Sequence, residues 1–362
     1  MLLGWRRRAS LARPLLGVPD AGVMPEPSRS VQVVRRSGHD LLHLTSEDLS
    51  VEVLPGKGGD IVSIRWRPLD LNVLWETPWG LRPPAALPAS PDSQVAFLES
   101  YPGGWQTLFP NGGTATMEQG VELPFHGEAT AVAWDWEPRD LLGGAAVELW
   151  TCLVRSPFRL RRLIEVVGAT VTVTEHITNE SGVSQQAMWS HHPAFGAPFL
   201  DASCVLRTAG GAFLADPDYD TEHGDLTPGA RSGWPQVAGR AGGVVDLSTV
   251  PAPDAGVDRF GYLLDLPEPW FALTNPTLDL TVTVRWDGSI FPHAWYWCEA
   301  GGTTGFPWHQ RAYVLAVEPA SSYPGAGLQA ARESGTALTF APGETRTAFV
   351  CLELRQGGAT SG

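Results

Sequence analysis

Lysine is almost absent from this sequence. Lys57 is the single lysine among 362 residues, and the formal net charge is -14. Because nucleic-acid phosphates are bound by clustered lysines and arginines, this composition argues against a nucleic-acid partner and favours a neutral ligand.

The local exception to this low positive charge is a group of four arginines, Arg155, Arg159, Arg161 and Arg162. Since Arg159 and Arg161 alternate along one predicted strand, we interpret the group as a solvated strand face, with a phosphate-binding patch as the alternative.

Cysteine is scarce as well, and no two cysteines are close in the sequence. A zinc knuckle or a redox site ordinarily contains a Cys-x-x-Cys pair, which is missing. We therefore expect small, buried, unpaired side chains at Cys152, Cys204, Cys298 and Cys351. Nor does the sequence show a signal peptide with an apolar core and a small-residue cleavage site, so we expect a cytoplasmic protein.

Long apolar runs are missing from the first 29 residues. Their short apolar patch is interrupted by Pro14 and Pro19, which leaves it too broken for a membrane span or a signal-peptide core. We expect residues 1–29 to be a disordered arm or an upstream extension with the working start at Met24. We expect no membrane partner.

Amphipathic helices are also rare, apart from a possible short helical turn at 328–332, so α/β architectures with crossover helices are not expected. The dominant pattern is an alternation of period two, rich in β-branched residues. It covers 31–34, 50–54, 61–66, 131–136, 146–150, 170–174, 278–284 and 349–354. So many strands without a propeller-length repeat predict an all-β fold, a large antiparallel sandwich. We expect one domain over residues 30–356 and a flexible tail at 357–362.

Two loops rich in proline and glycine, residues 77–93 and 216–243, interrupt the strands. Long loops on a rigid sheet commonly build binding sites, so each could wall a ligand. A loose surface excursion is an equally good interpretation of the first loop and the better one for the second.

The glycine-rich segment 103–113 has the composition of a sugar-binding loop. Its glycines allow the backbone to approach a ligand, while Trp105, Gln106 and Asn111 offer a stacking face and amide hydrogen bonds. A pyranose presents an apolar face to an aromatic ring and hydroxyls to amides. The alternative is an ordinary turn with a core tryptophan.

Two imidazoles lie in apolar stretches beside glycine or proline. His126 precedes Gly127, so we expect it at a strand edge or loop exit, where a structural histidine is the alternative. His191 and His192 are neighbours on an extended segment and must face opposite sides. We expect His192 inside a pocket and His191 as its support.

Glu318 follows the apolar predicted strand 312–317, and we expect Pro319 to close that strand. A carboxylate in such a setting is partly desolvated, which raises its pKa and improves it as a general base near neutral pH. A solvated strand-end glutamate is the alternative. Together with the two imidazoles, Glu318 completes the parts of a proton-transfer site.

Four motifs in this order resemble the galactose mutarotase-like superfamily, which includes the aldose 1-epimerases. The resemblance covers about residues 31–354. The motifs are Phe109-Pro110-Asn111-Gly112, then His126-Gly127 followed by Trp134-x-Trp136, then His192-Pro193-Ala194-Phe195, and finally Val317-Glu318-Pro319.

The resemblance implies a β-supersandwich whose cleft interconverts the α and β anomers of an aldose. Glu318 would be the base, His192 the acid and His126 a second imidazole near the ring oxygen and the C1 hydroxyl. Such an isomerase requires no metal and no organic cofactor, because the acid and the base recover by exchanging protons in the reverse sense. We expect a small-molecule aldose, free or modified, as partner, and a monomer or a homodimer.

The sequence departs from the better-known galactose mutarotases at two points. Those enzymes carry an arginine after the asparagine of the first motif, where Gly112 stands here. They also carry a substrate-binding aspartate, for which Asp258 and Asp287 are both candidates. The aromatic segment 291–297, with His293 and Trp297, resembles a cleft wall of these folds, and packing in the core is its alternative.

Other functions remain open from the sequence. The missing arginine and the 15 tryptophans would also suit a non-catalytic carbohydrate-binding or sugar-sensing protein of the same fold. A polysaccharide lyase or hydrolase is a weaker alternative. Two histidines and a glutamate could form a cupin-like metal site, but the Glu-Pro setting matches the epimerase pattern better.

Overall fold

The structure is a computed structural model that describes residues 31–84 and 90–357. The extension expected at residues 1–29 lies outside the described residues, and so does the tail expected at 357–362 except for Gly357. Within this part of the chain, strands and turns predominate.

The strands in chain order are β1 (Val31–Arg36), β2 (His39–Thr45), β3 (Leu49–Leu54), β4 (Asp60–Trp66), β5 (Leu71–Asn72), β6 (Trp105–Leu108), β7 (Thr116–Glu118), β8 (Val121–Leu123), β9 (Asp135–Arg139), β10 (Gly144–Cys152), β11 (Phe158–Val167), β12 (Thr170–Asn179), β13 (Gln185–Ala187), β14 (Ser190–Gly196), β15 (Val205–Thr208), β16 (Ala212–Ala215), β17 (Arg231–Gly233), β18 (Gln236–Ala238), β19 (Val244–Asp246), β20 (Val257–Leu264), β21 (Trp270–Asn275), β22 (Leu280–Trp286), β23 (His293–Ala300), β24 (Tyr313–Ala320), β25 (Leu338–Phe340) and β26 (Thr345–Gln356). Two short helices are α1 (Ser93–Ser100) and α2 (Leu328–Glu333).

Two large sheets contain most of these strands, and β7-β8, β13-β25 and β18-β19 form three separate two-stranded sheets. The first has the order β1-β2-β3-β4-β6-β14-β24-β23-β20-β16-β17, with β5 paired to β4. The second has the order β15-β21-β22-β26-β12-β11-β10-β9. Pairings at the centre of both sheets are antiparallel. The predicted all-β, antiparallel architecture is confirmed.

The core lies between the two sheets. Alternate residues of β11 are buried, and its Leu160 and Ile164 share one apolar cluster with Val51 and Ile64 of the first sheet. Full burial of such a side chain contributes about 1.5–3 kcal/mol relative to exposure. The period-two alternation in the sequence is therefore the pattern of a sheet with one face on the core.

The prediction of a strand at 131–136 is wrong for most of that range, because β9 begins only at Asp135. Just upstream, the buried Glu128 carboxylate accepts hydrogen bonds from the backbone N–H groups of Val154 and Arg155. Glu128 begins a 3-10 turn, which keeps the chain that follows out of the sheet.

The helix α1 lies where the sequence indicated only the end of a loop. Asp92 caps it, since its Oδ1 accepts from the backbone N–H groups of Gln94 at 2.8 Å and Val95 at 3.1 Å. The other helix, α2, covers the short turn predicted at 328–332.

The expectation that Pro319 closes its strand is also wrong. β24 continues to Ala320, and Pro319 pairs with Ala294 of β23. Glu318 therefore lies within the strand, where neighbouring strands on both sides fix its backbone.

The arginine group splits between the two faces of its sheet. Arg159 and Arg161 are exposed and pair with Glu180 and Glu148, so the solvated strand face is confirmed for these two. Arg162 points the other way and is buried.

All four cysteines are free thiols. Cys204 and Cys298 are buried as expected, but Cys152 is exposed and Cys351 is half-buried, so the expected burial is wrong there. Among the described residues, no helix has the length and apolarity that crossing a membrane requires.

Candidate active site

The site is built on the middle of the first sheet, where β14, β24 and β23 lie side by side. In the register of β14 and β24, Ser190 pairs with Ala320 and Ala194 pairs with Ala316. His192 of β14 therefore lies across from Glu318 of β24. On the other side of β24, Trp295 of β23 pairs with Glu318. Directly opposed residues share one face of a sheet, so the register alone brings these three side chains together.

His192 lies between Glu318 and Tyr101. Its Nε2 is 3.4 Å from Glu318 Oε1, and its Nδ1 is 3.5 Å from the Tyr101 hydroxyl. Burial, together with the nearby carboxylates of Glu318 and Asp60, raises the pKa of Tyr101 well above its usual value. The Tyr101 hydroxyl therefore stays neutral and accepts from Nδ1–H of the neutral imidazole, which leaves Nε2 unprotonated and able to take a proton from Glu318.

His126 reaches the same cavity from the turn after β8. The Gly113 N–H donates to its Nδ1 at 3.1 Å, and its own N–H donates to the Gly113 carbonyl at 3.0 Å. Only glycine fits at Gly113, because φ is +70° and a Cβ would lie 1.6 Å from the Gly325 carbonyl oxygen. The neutral His126 imidazole consequently carries its proton on Nε2. Its ring centroid is 5.8 Å from that of His192.

Burial sets the charge of these groups. It raises the pKa of Glu318 well above its usual value and lowers the pKa of His192 to about 4. Desolvation, helped by His192, lowers the pKa of His126 well below the ordinary range. Glu318 is 1% exposed and His192 6%, so little water can solvate an ionised form. Both shifts favour the form in which Glu318 holds the exchangeable proton and His192 is neutral.

The three groups line a cavity of about 270 Å³. Small-molecule sites ordinarily occupy about 300–1,000 Å³, so this one suits a small ligand. Most of its wall is aromatic and includes Phe97, Phe260, Trp295, Trp297 and Trp308. A larger open groove of about 1100 Å³ lies on the other side of Phe97 and Phe125. We assign the candidate site to the smaller cavity, because the larger groove is lined by neither imidazole nor Glu318.

His191 faces the core instead of the cavity. Trp105 Nε1 donates to its Nδ1 at 3.1 Å, and its Nε2 is 3.4 Å from Glu175 Oε2. Arg162 Nε donates to Glu175 at 2.6 Å. Burial alone would raise the pKa of Glu175, but Arg162 and His191 hold it well below its usual range. A buried carboxylate thus anchors the strand that carries His192.

Three residues predicted to bind sugar are buried and do not line the cavity: Trp105, Gln106 and Asn111. Trp105 packs against His191, and the Gln106 amide donates to the Gly103 carbonyl. Asn111 makes four hydrogen bonds to the residues around its own loop and the start of α2. These bonds shape the loop that presents Gly113, and in this geometry all three side chains contact the protein itself.

Of the other residues predicted to contact substrate, Trp297 lines the cavity. Asp258 is buried elsewhere and accepts a hydrogen bond from Thr221. Asp287 accepts from Ser289 within a turn. His293 packs its ring against Tyr323. The structure brings neither candidate aspartate to the cavity.

Several cavity residues were missed from the sequence, chiefly Tyr101, Phe97 and Tyr219. Tyr219 belongs to the loop 216–243, which we expected could wall a ligand. Phe97 belongs to α1, directly after the other loop. No signal pointed to Tyr101, because its position depends on α1. Within the described residues, no group of three or more His, Cys, Asp or Glu is placed to hold a metal ion.

Solved structures share this architecture. The chain is similar to the Slr1438 protein from Synechocystis sp. PCC 6803, with a TM-score of 0.64 and 15% identity over 92% of this chain and 100% of that one. A "putative aldose 1-epimerase" from Klebsiella pneumoniae has a TM-score of 0.66 and 15% identity, over 91% of this chain and 83% of that one. A galactose mutarotase-like protein from Clostridium acetobutylicum has a TM-score of 0.61 and 14% identity, over 90% and 98%. At these identities the similarity shows the fold alone, which is the galactose mutarotase-like fold that the motifs predicted.

Among curated proteins, no relative matches this chain. One family model matches residues 36–354, a range that contains every side chain described at the site. That family is described as a domain of unknown function, so the match carries no activity with it. The chain belongs to the DUF4432 family.

Proposed function

We propose that this protein is an aldose 1-epimerase, a cofactor-independent isomerase that interconverts the α and β anomers of a small-molecule aldose. The observation that carries the proposal is the 3.4 Å separation of Glu318 Oε1 and His192 Nε2 inside a small cavity. The anomeric hydroxyl and the ring oxygen of a sugar are bonded to the same carbon. An acid and a base that act on both must therefore be adjacent, as these two groups are.

The reaction begins with Glu318 ionised and His192 charged, so the exchangeable proton of the pair is on His192. Glu318 removes the proton of the C1 hydroxyl while His192 donates its proton to the ring oxygen, and the bond between C1 and that oxygen breaks. The open-chain aldehyde rotates about the C1–C2 bond. The freed hydroxyl then attacks the other face of C1, His192 takes its proton, and Glu318 returns a proton to the carbonyl oxygen. Both groups end as they began.

The electrostatics support this exchange. In the empty cavity, burial leaves the shared proton on Glu318. Glu318 Oε2 has no hydrogen-bond partner within the described part of the chain. A sugar hydroxyl that donates to this carboxylate stabilises its charged form and moves the proton to His192. His126, with its proton on Nε2, supplies a neutral donor near the ring oxygen.

Anomer-resolved NMR with freshly dissolved aldoses tests the proposal. The wild-type protein should accelerate anomer exchange over buffer. Glu318→Gln keeps the shape of the side chain and removes the base, so the rate should fall by about 10²- to 10⁴-fold while sugar affinity is largely retained. Glu268→Gln, which changes an exposed loop carboxylate, should leave the rate unaltered.

The second candidate is a non-catalytic carbohydrate-binding or sugar-sensing protein, which Gly112 in place of an arginine favours. It predicts saturable sugar binding without acceleration, and no effect of Glu318→Gln. Exchange no faster than in buffer for every aldose would contradict the epimerase proposal. An unchanged rate in the Glu318→Gln protein would remove Glu318 from its role.

A further inference from the structure

The Tyr101 hydroxyl can face His192 in two ways, and only one of them suits the proposed chemistry. For Glu318 to pass its proton to Nε2, the neutral imidazole must carry its own proton on Nδ1. Tyr101 then accepts from Nδ1–H and directs its own proton elsewhere. If the hydroxyl instead donates to Nδ1, the imidazole proton lies on Nε2 and blocks the transfer from Glu318.

The hydroxyl proton of Tyr101 therefore needs a second acceptor. Tyr101 is 2% exposed, so bulk water does not reach it. Burial and nearby carboxylates raise the pKa of Tyr101, so the proton stays on the hydroxyl. Within the described residues, His192 is the one hydrogen-bond partner of this hydroxyl. Whichever group accepts the proton decides the tautomer of His192.

One row of the first sheet carries a buried carboxylate towards this hydroxyl. Ile61 of β4 pairs with Trp105 of β6. The two strands are antiparallel, so Asp60 lies across from Gln106, which pairs in turn with His192. Opposed residues share one face of a sheet, and neighbouring strands are about 4.8 Å apart. The backbones of Asp60 and His192 are therefore about 10 Å apart, with both side chains on the cavity face.

Asp60 has one engaged oxygen and one free oxygen. Lys57 Nζ donates to its Oδ2 at 3.0 Å, whereas its Oδ1 is buried without a hydrogen-bond partner among the described residues. Burial raises the pKa of Asp60, and the charges of Lys57 and Arg162 oppose that shift. Gln106 Oε1 is a second buried acceptor without a partner. A carboxylate accepts a hydrogen bond more strongly than an amide, which favours Asp60 as the acceptor for Tyr101.

We propose that Asp60 is a positioning residue: its Oδ1 accepts the Tyr101 hydroxyl proton, directly or through one buried water, and so turns the hydroxyl lone pair towards His192 Nδ1–H. Asp60 touches neither the sugar nor Glu318 and acts only through Tyr101. The effect on rate rests on the proposed epimerase function, whereas the effect on the tautomer of His192 exists without a substrate.

Asp60→Asn tests the link without sugar. The Lys57 ammonium attracts the amide oxygen, so the amide nitrogen turns towards Tyr101 and offers a donor where the wild-type protein has an acceptor. The Tyr101 proton then goes to His192 Nδ1. Nitrogen NMR should show the neutral imidazole change from the Nδ1–H to the Nε2–H tautomer, with the ratio of the two altered about tenfold. An unaltered ratio overturns the proposal.

Two control variants make this test specific. Glu52→Gln breaks the half-buried ion pair with Arg36 on β3 and should leave the tautomer unchanged. Gln106→Met removes the other free acceptor and should also leave it unchanged. A change in Gln106→Met without one in Asp60→Asn would assign the role to the amide and overturn the proposal. An equal change in Glu52→Gln would overturn it as well.

The kinetics of anomer exchange separate positioning from a structural effect. Asp60→Asn should lower kcat about tenfold with little change in KM. Added to Tyr101→Phe, which has already lost the hydroxyl, the same substitution should alter kcat less than about twofold. A structural role would instead lower kcat by the same factor in both backgrounds, which would contradict an action through Tyr101.

A titration of the Tyr101→Phe protein decides the question if Asp60→Asn does not fold. Carbon NMR of the Asp60 carboxyl measures its pKa in both proteins. A donated hydrogen bond favours the charged carboxylate, so its loss in Tyr101→Phe should raise the pKa of Asp60. Lys57 and Arg162, the cations beside Asp60, are the same in both proteins. An unchanged pKa overturns the proposal.

These readouts keep the inference separate from the proposed function, because the tautomer and the carboxyl titration require no sugar. If no aldose is accelerated, the epimerase proposal fails, and the tautomer in Asp60→Asn still supports or overturns the role of Asp60. If aldoses are accelerated while the tautomer in Asp60→Asn matches that of the wild-type protein, the epimerase stands and this inference fails.

Discussion

His191 and His192 are consecutive residues of one strand, and their imidazoles lie on opposite faces of it. His191 is 3.4 Å from the Glu175 carboxylate in the core, and His192 is 3.4 Å from the Glu318 carboxylate in the cavity. The first carboxylate is held ionised and the second has its pKa raised by burial. One strand thus joins a fixed charge, which anchors it, to a mobile proton, which the proposed chemistry uses.

Removing the anchoring charge should destabilise the protein. Glu175→Gln leaves the buried Arg162 guanidinium without its counter-charge, and breaking such a pair costs about 3–5 kcal/mol. Urea denaturation at pH 7 measures the loss. Glu180→Gln, which changes the exposed partner of Arg159, is the control and should cost about 0–1 kcal/mol. Equal stabilities of the two variants would show that the core pair does not anchor the strand.

The pH dependence of this loss has a definite sign. The pKa of Glu175 is lowered in the folded protein, so its stabilising contribution is present above the unfolded value of about 4.3 and disappears as the pH falls. The wild-type advantage over Glu175→Gln should therefore shrink on acidification from pH 6 to pH 3. An advantage that stays constant over this range would contradict the lowered pKa.

Tyr101 should act through the tautomer of His192. Its hydroxyl accepts from Nδ1–H, so Tyr101→Phe removes the bond that keeps Nε2 free for the exchanged proton. One neutral hydrogen bond is worth about 0.5–1.5 kcal/mol, so kcat should fall about tenfold with little change in KM. Tyr313→Phe, whose hydroxyl bonds the distant Pro251 carbonyl, is the control. Nitrogen NMR of His192 should show a mixed tautomer in the Tyr101 variant and not in this control, and an unchanged spectrum would reject the role.

The sequence was sufficient for the fold and for the three side chains His126, His192 and Glu318 that meet in the cavity, but not for the cavity walls. Strand alternation and the four motifs depend on local patterns, and they correctly indicated the sheets and the opposite facing of His191 and His192. Trp105, Gln106 and Asn111 show the limit of composition. A glycine-rich loop with amides suits a ligand or its own backbone equally well, and here the amides bond to the loop itself. Tyr101 depends on α1, whose eight residues carry too little pattern to be recognised.

The proposed activity should have a bell-shaped pH profile. The reaction requires one exchangeable proton shared by Glu318 and His192. Below about pH 4 the pair takes up a second proton, because His192 becomes charged while Glu318 is protonated. Above the raised pKa of Glu318 the pair loses its exchangeable proton. We expect kcat/KM from anomer-resolved NMR to fall in both directions, with an acid limb near pH 4 and a broad plateau around neutrality. A rate that rises steadily with pH would instead indicate catalysis by hydroxide.

Glu318→Gln should be more stable than the wild-type protein at neutral pH, although we expect it to have lost the proposed activity. Because burial raises the pKa of Glu318, the folded protein holds a proton that the unfolded chain releases above about pH 4.3. Folding must therefore take up a proton in this range, and stability falls as the pH rises towards the folded pKa. Glutamine has the same shape and cannot ionise, so it avoids this penalty. Melting temperatures of the two proteins should coincide near pH 4 and diverge towards pH 8 in favour of the variant. The opposite result would be a variant that melts below the wild-type protein at pH 8 but not at pH 4. It would show that Glu318 is ionised and hydrogen-bonded in the folded state, and would remove the desolvated base from the mechanism.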